Sequence, residues 1–399
     1  MRICFVSRRF FPAISGMSIY AANLLRQLVA AGHDVTMVSQ FYGEARLRGV
    51  YGGGSPPPVS GVKVIGLEAL GEQADGDFER DIDGIVFTIM REHGARPFDV
   101  IHAQYGYPTG WAAMIAARRL GLPCVVSIQG GDGHWVGSCC ETHRLAMVRV
   151  LDGAGAVLIG GRSFADEVTA RLGVEDRFTI VPGAVDTMRF TPGERGRAPV
   201  RLLYHGRVDR RKGVLDFLRA LPDVAGSWIA TISGIGPDVE AAQALAAQLG
   251  LSEQVRFSGY APYDDAPALY RAHDVFVSPT YAEGFSNTIL EAMAAGHAVL
   301  SCRSVGVVDC LRDGENGLLI EAGDVPALAA ALTRLVADGD LRARLGAAAL
   351  AECRRVYSWG AVGAQIMGVY AGLMGQRQAA FDETLPVTPC RLRAEPHLL

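Results

Sequence analysis

The 399-residue chain has little net charge, no long apolar run and no recognisable cysteine framework. Its 38 Lys and Arg against 42 Asp and Glu leave a formal net charge of −4. There is no basic stripe of the kind that tracks phosphates, so nucleic acid is not an expected partner. No apolar stretch approaches the roughly 20 residues that a membrane helix requires. The opening residues, Met1 to Ser7, reach Arg8 and Arg9 too soon for a secretory signal, and a cytoplasmic enzyme is expected. The eight cysteines stand at 4, 124, 139, 140, 302, 310, 353 and 390, with no C-x-x-C and no zinc spacing. The adjacent pair Cys139-Cys140 suits neither a simple disulfide nor a metal clip, so all eight are read as reduced thiols, partly in cores.

Hydrophobic residues make up 49% of the chain, enough for two domains that each bury a core. In the first half, short β-branched runs at 3–7, 35–39, 62–67, 100–102, 124–128, 156–159 and 179–181 read as strands. Helical periods fall between most of them, at 17–31, 78–93, 110–120, 141–151 and 163–172. Such alternation predicts an α/β fold with a parallel sheet covered on both faces. The stretch 186–199, DTMRFTPGERGRAP, has no period and reads as a linker. The same grammar then resumes, with strands at 202–205, 228–232, 255–258, 275–278, 299–301 and 318–320 and helices from 325 to about 373. The expected division is 1–185, linker 186–199, 200–375 with its last helix packing back on the first domain, and a flexible tail at 376–399. Two doubly wound Rossmann-like domains facing a central cleft would bind ligands just beyond the carboxyl ends of their strands.

The richest segment lies there: residues 278–296, SPTYAEGFSNTILEAMAAG, read as strand end, turn and helix. Ser286 is a good N-cap, so the helix start near Asn287 and Thr288 can receive phosphate through free amides and the helix dipole. Gly284 permits close backbone approach. Glu283 and Glu291 bracket seven residues, and Glu291, one turn inside, suits sugar hydroxyls better than phosphate. After another strand, residues 204–213 read YHGRVDRRKG. Arg207, as a planar fork, and Lys212, as a point charge, can clamp a diphosphate. Arg210 and Arg211 read as surface residues. Gly234-Ile235-Gly236-Pro237 fails as a dinucleotide fingerprint because Val239 takes the third glycine's place.

The segment EGFSNTILEAMAAG resembles the E-x7-E element of retaining GT-B glycosyltransferases, especially the large family numbered four. The resemblance gives Glu283 to the donor sugar's hydroxyls and Glu291 to the ribose. It implies that Arg207 and Lys212, in a segment similar to the family's GR-x4-KG, neutralise the leaving diphosphate. It places Gly206, Gly234, Gly284, Phe285, Ser286, Asn287 and Thr288 around the donor. Gly306 to Gly317 matches more loosely and reads as architectural. A nucleotide sugar is the implied donor substrate, with no cofactor and no metal. The resemblance implies a reaction with retention of anomeric configuration and, in its bacterial surface-polysaccharide branch, a glycan or lipid-linked acceptor.

On the acceptor side, FPAISGMS at 11–18 offers Gly16 at a helix start, where the family loop often has two glycines; Gly16 is read as a donor-binding residue, with a mere turn glycine as the alternative. VSIQGGDGH at 126–134 carries Gln129 where relatives commonly have His, then Asp132. An amide cannot titrate, so a proton-taking role at Gln129 is doubtful. His102 and Gln104 end a neighbouring strand; His102 is an acceptor-side candidate, with a satisfied structural histidine as the alternative. Arg8 and Arg9 beside Phe10 and Phe11 read as a solvated turn, with contact to the inner face of an anionic membrane as the alternative. Three rival readings stand beside this one: a metal-dependent GT-A enzyme using one of the D-x-D matches at 75, 81 or 338, a sugar-nucleotide epimerase, and a catalytically silent nucleotide-sugar-binding subunit.

Overall fold

The computed structural model describes residues 1–43, 52–130, 133, 136–194, 198–390 and 393. The chain forms two compact units, Met1–Pro182 with Val362–Leu399, and Gly183–Ala361.

The first unit is built on seven strands: β1 (Arg2–Ser7), β2 (Asp34–Phe41), β3 (Val62–Glu68), β4 (Val100–Gln104), β5 (Cys124–Ile128), β6 (Ala156–Ile159) and β7 (Phe178–Ile180). Their lateral order is β3-β2-β1-β4-β5-β6-β7, and every pairing is parallel. Central strands covered by helices on both faces have no solvent side. This is why β1, β4 and β5 are mostly apolar and show no alternation of buried and exposed positions, and every residue of each is buried.

The second unit repeats the plan with β8 (Val200–His205), β9 (Trp228–Ser233), β10 (Val255–Gly259), β11 (Val275–Ser278), β12 (Ala298–Cys302) and β13 (Leu318–Ile320). Their order is β10-β9-β8-β11-β12-β13, again all parallel. One core face gathers Leu202, Phe217, Ile232 and Leu332; the other gathers Leu203, Phe276, Leu290 and Tyr357. No helix among the described residues is long and apolar enough to cross a membrane.

Two stretches differ from the sequence reading. Residues 186–194 are part of the second unit rather than a free linker. Phe190 is 1% exposed and packs edge-on against Tyr270. Arg189 donates to Tyr263 O at 2.8 Å and to Asp264 at 2.7 Å. The absence of a period conceals one apolar anchor and one cation with fixed acceptors. Likewise 376–390, read as a tail, runs along the first unit. Arg118 donates to Glu383 at 2.6 Å, and Arg149 to Thr384 O at 2.6 Å.

Candidate active site

In each sheet the chain leaves two neighbouring strands in opposite lateral directions, and ligands of such sheets bind beyond that point. In the second unit the two strands are β8 and β11, paired through Leu202 with Val275 and Leu203 with Phe276. Beyond β8 the chain turns at Gly206. The Gly206 N–H donates to Ser233 O (3.0 Å) and the Val208 N–H to Ile235 O (2.9 Å), so this loop lies along the one that follows β9. Gly234 sits there at φ +149°, and a Cβ on it would stand 1.8 Å from Gly206 O. Only glycine fits.

Asp209, 3% exposed, organises the basic loop. It accepts from the Arg211 N–H at 2.9 Å and from Arg211 Nη2 at 2.8 Å, and lies 3.4 Å from Arg207 Nε. Burial pushes its carboxyl up, but the hydrogen bonds from Arg211 and the Arg207 charge outweigh burial and hold it below the usual carboxylate range. Arg210 and Arg211 are exposed and paired, Arg210 with Asp238 at 2.6 Å, in keeping with their reading as surface residues. The next residue but one, Gly213, has φ +71°, and a Cβ there would meet Pro279 O at 2.0 Å. The loop therefore closes hard against the end of β11. That approach sets Lys212 beside the E-G-F-S turn, with Nζ 2.8 Å from Glu283 Oε1 and 3.2 Å from Ala282 O.

Ser286 caps the helix Asn287–Ala294, its Oγ 3.5 Å from the Ile289 N–H. Thr288 Cγ2 stands 3.9 Å from the Cβ position of Gly206. The start of this helix, with its positive dipole end, thus lies next to the end of β8. Gly206, Gly234, Lys212, Glu283, Ser286 and Thr288 are brought to one place, and Arg207 hangs from the same loop. The half-buried Phe285 ring packs on Tyr357, with centroids 5.7 Å apart, and against Gly183, which anchors the turn.

Glu291 is 5% exposed, and its Oε2 accepts from Tyr270 Oη at 2.9 Å. Tyr270 Oη also lies 3.1 Å from Thr288 O, so one phenolic proton faces two acceptors. Burial pushes the Glu291 carboxyl up to about 7, against the downward pull of the Tyr270 hydrogen bond and the Arg189 charge. No sequence signal marks Tyr270; it lies 21 positions upstream on another helix, and no spacing rule links the two. The raised value makes a prediction. A carboxyl whose folded pKa exceeds its unfolded value stabilises the fold in its protonated form, fully below the unfolded pKa, and this is lost as pH rises through about 7. Without nucleotide, Glu291→Gln should melt close to the parent chain at pH 5 and higher than it at pH 8. The gap should widen by about 2 kcal/mol. Melting gaps that stay equal at both pH values would contradict it.

In the first unit the corresponding strands are β1 and β4. Ser7 Oγ lies 3.0 Å from Gln104 Oε1, and Gln104 Nε2 donates to Gln129 Oε1 at 2.7 Å and to Met17 O at 2.9 Å. These contacts tie together the ends of β1, β4 and β5 and the first turn of the helix Gly16–Ala30. Gly16 opens that helix, and Ser15 caps it by accepting from the Ser18 N–H at 3.2 Å. Asp132 lies outside the described residues.

His102 is corrected. It is wholly buried, with Nε2 2.7 Å from Ser127 Oγ and Nδ1 2.5 Å from Tyr370 Oη. Burial lowers its pKa to about 3. It is the satisfied core histidine of the two readings. Gln104, two residues nearer the strand end on the same face, is the residue that reaches the loops. Arg8 and Arg9 are corrected too: they are 2% and 8% exposed, not a solvated turn. Arg8 forms a two-pronged pair with Glu72, at 2.9 and 2.8 Å, and donates to Tyr42 at 2.9 Å.

Two parallel sheets of this order, each with polar residues gathered beyond its switch strands, make a two-domain Rossmann-like fold, the architecture of GT-B glycosyltransferases. The chain belongs to the group 1 glycosyltransferases: the family described as "Glycosyl transferases group 1" matches residues 188–351, and the "Glycosyl transferase 4-like domain" matches 15–184. It is 29% identical over 416 residues to the D-inositol 3-phosphate glycosyltransferase of Acidothermus cellulolyticus, covering 93% of this chain and 88% of the relative. It is 31% identical over 286 residues to the GDP-mannose-dependent alpha-(1-6)-phosphatidylinositol monomannoside mannosyltransferase of Mycolicibacterium smegmatis, covering 66% and 74% of the two chains. The structure of Anabaena Alr3699/HepE in complex with UDP and glucose has the same fold, with a TM-score of 0.72 at 18% identity, covering 94% of this chain and 100% of that one.

Proposed function

We propose that this glycosyltransferase moves a sugar from a nucleoside diphosphate sugar to a glycan or lipid-linked acceptor, with retention at the anomeric carbon and no metal at the donor site. The observation that carries the reading is the Lys212–Glu283 pair at 2.8 Å, beside a helix start that lies against the end of β8. Lys212 and Arg207 supply positive charge where a diphosphate develops negative charge on leaving. The Asn287–Ala294 helix adds the positive end of its dipole. Glu283, already held by Lys212, is placed to accept from a sugar hydroxyl, and Glu291 from the ribose.

The bond from the anomeric carbon to the β-phosphate oxygen breaks and a bond to the acceptor oxygen forms on the same face. The acceptor's proton passes to the leaving phosphate, so no protein base is required. With two cations and a helix dipole for the diphosphate, a divalent ion has no charge left to neutralise. The relative that takes GDP-mannose and the fold neighbour crystallised with UDP support a nucleotide-linked donor. The names of the relatives add inositol phosphates to the acceptor classes worth screening.

The test is a thermal-shift screen across UDP-, GDP-, ADP- and dTDP-sugars, because bound donor raises apparent stability. Turnover with the best donor and NMR of the product's anomeric coupling then follow. The expected result is one preferred nucleotide, an unchanged anomeric configuration, and activity that persists in brief EDTA. An inverted product, or activity lost in EDTA and restored by Mn²⁺, would overturn the mechanism. Donor consumed with no acceptor present would point to epimerisation instead.

A further inference from the structure

Four side chains that are scattered in the sequence meet in the first unit: Cys139, Cys140, His143 and Cys390. One donor atom from each lies within 4.8 Å of all the others, and this is the metal-ligating group found among the described residues. Cys139 Sγ is 2.9 Å from His143 Nδ1, and Cys390 Sγ is 3.8 Å from the same nitrogen. A tetrahedral zinc site, with Zn–S about 2.3 Å and Zn–N about 2.0–2.1 Å, places its ligand atoms about 3.5–3.8 Å apart. Small adjustments bring the four atoms to that spacing.

On sequence grounds the adjacent pair suits no metal, because neighbouring residues on one element point apart. The backbone removes that objection. Cys139 ends the short helical turn Gly137–Cys139, whereas Cys140 is extended at φ −167° and ψ 167° and caps the helix Glu141–Gly153. The break between them turns both sulfurs towards the first turn of that helix, where His143 stands.

The fourth donor comes from the far end of the chain, and both its flanks are tied down. The Thr388 N–H donates to Thr142 Oγ1 at 3.0 Å, and Thr142 Oγ1 donates to Pro386 O at 2.5 Å. Beyond Cys390, Arg393 makes a two-pronged pair with Glu79 at 2.8 and 2.6 Å. The His143 ring is wholly buried and wedged between Phe78, edge-on at 5.5 Å, and Tyr107 at 4.4 Å, which holds Nδ1 towards the sulfurs. Its Nε2 is buried with no hydrogen-bond partner among the described residues. That leaves Nε2 to keep the ring proton when Nδ1 is a ligand. A disulfide would use two of the three sulfurs and leave a thiol and an imidazole idle. Three thiolates and one imidazole form the closed donor set of structural zinc.

We propose that Cys139, Cys140, His143 and Cys390 bind one zinc ion, which clamps the C-terminal segment onto the helix Glu141–Gly153. Binding displaces three thiol protons to solvent and leaves a ZnS3N centre. This site shares no residue with the donor group of Lys212, Glu283 and Glu291, which lies in the second unit, so loss of either reading leaves the other standing.

The experiment uses the full chain, purified reduced and without added chelator. Elemental analysis should find about one zinc per chain. Protein stripped of metal and titrated with Co²⁺ should show the intense visible bands of tetrahedral, thiolate-bound cobalt. The other five cysteines are buried, so Ellman's reagent should find three reactive thiols in the native apoprotein, and added Zn²⁺ should protect them. Cys390→Ser should weaken zinc retention at least about tenfold and lower Tm by several degrees. Zinc below about a tenth of an equivalent with no cobalt bands would overturn the proposal. So would a Cys390 disulfide to Cys139 or Cys140 in protein purified under reducing conditions, or full zinc retention in folded Cys390→Ser. The cobalt spectrum of the parent chain decides the matter even if that variant does not fold.

Discussion

Lys212→Ala should lower kcat by about 10²–10³-fold while the protein stays folded. Lys212 is 31% exposed and Glu283 18%, so their ion pair is a surface contact worth at most about 1 kcal/mol to stability. Its value appears only when a diphosphate arrives. In the proposed reaction the ammonium stands where the leaving oxygens gain charge, and that charge is largest in the transition state. For this reason kcat should fall much more than donor affinity. Lys212→Arg keeps the charge but spreads it over a wide planar group that cannot occupy the same point, so it should restore little. The measurement is steady-state kinetics with the preferred donor, alongside a melting curve. A Lys212→Ala enzyme within about threefold of the parent kcat would remove the diphosphate clamp from the mechanism.

Glu291→Ala should weaken nucleotide binding by about 10–100-fold, the effect of losing a charged hydrogen-bond partner. The fold should survive, because Tyr270 keeps Thr288 O, 3.1 Å away, as an acceptor. The readout is the rise in Tm on adding the nucleoside diphosphate. Each tenfold loss of affinity removes about 1.4 kcal/mol of ligand-linked stability at saturating concentration. Tyr270→Phe should act in the same direction and less strongly, since it removes only the bond that positions the carboxyl. An unchanged Tm response in Glu291→Ala would show that the ribose is held elsewhere.

These expectations share a physical basis that is partly visible in the order of amino acids alone. The doubly wound architecture is legible because both its signals are local. β-Branched runs of four to eight residues and helical periods between them need no knowledge of what they touch. The E-x7-E segment is equally legible, since cap, turn and helix follow one another along the chain, and Ser286 caps that helix in the structure. Residues that act across the chain are hidden. Asp209 reads as one more polar residue in a basic loop, and only its place beside Arg207 and Arg211 shows that it holds that loop together. Tyr270 gives no signal at all. His102 and Gln104 share a strand face and are both fully buried, and only their partners show that His102 bonds within the core while Gln104 bonds to the loops.

By itself, then, the sequence determined the class of fold, the order of strands and helices, and the capped helix start that follows Glu283, because short-range sterics and periodicity govern these. Tertiary structure alone decided which polar residues pair and which meet the loops at the strand ends. It seated Phe190 in the second unit, buried Arg8 against Glu72, and carried Cys390 back to Cys139, Cys140 and His143. The reason is distance along the chain: a contact between residues 247 positions apart depends on how every intervening element packs.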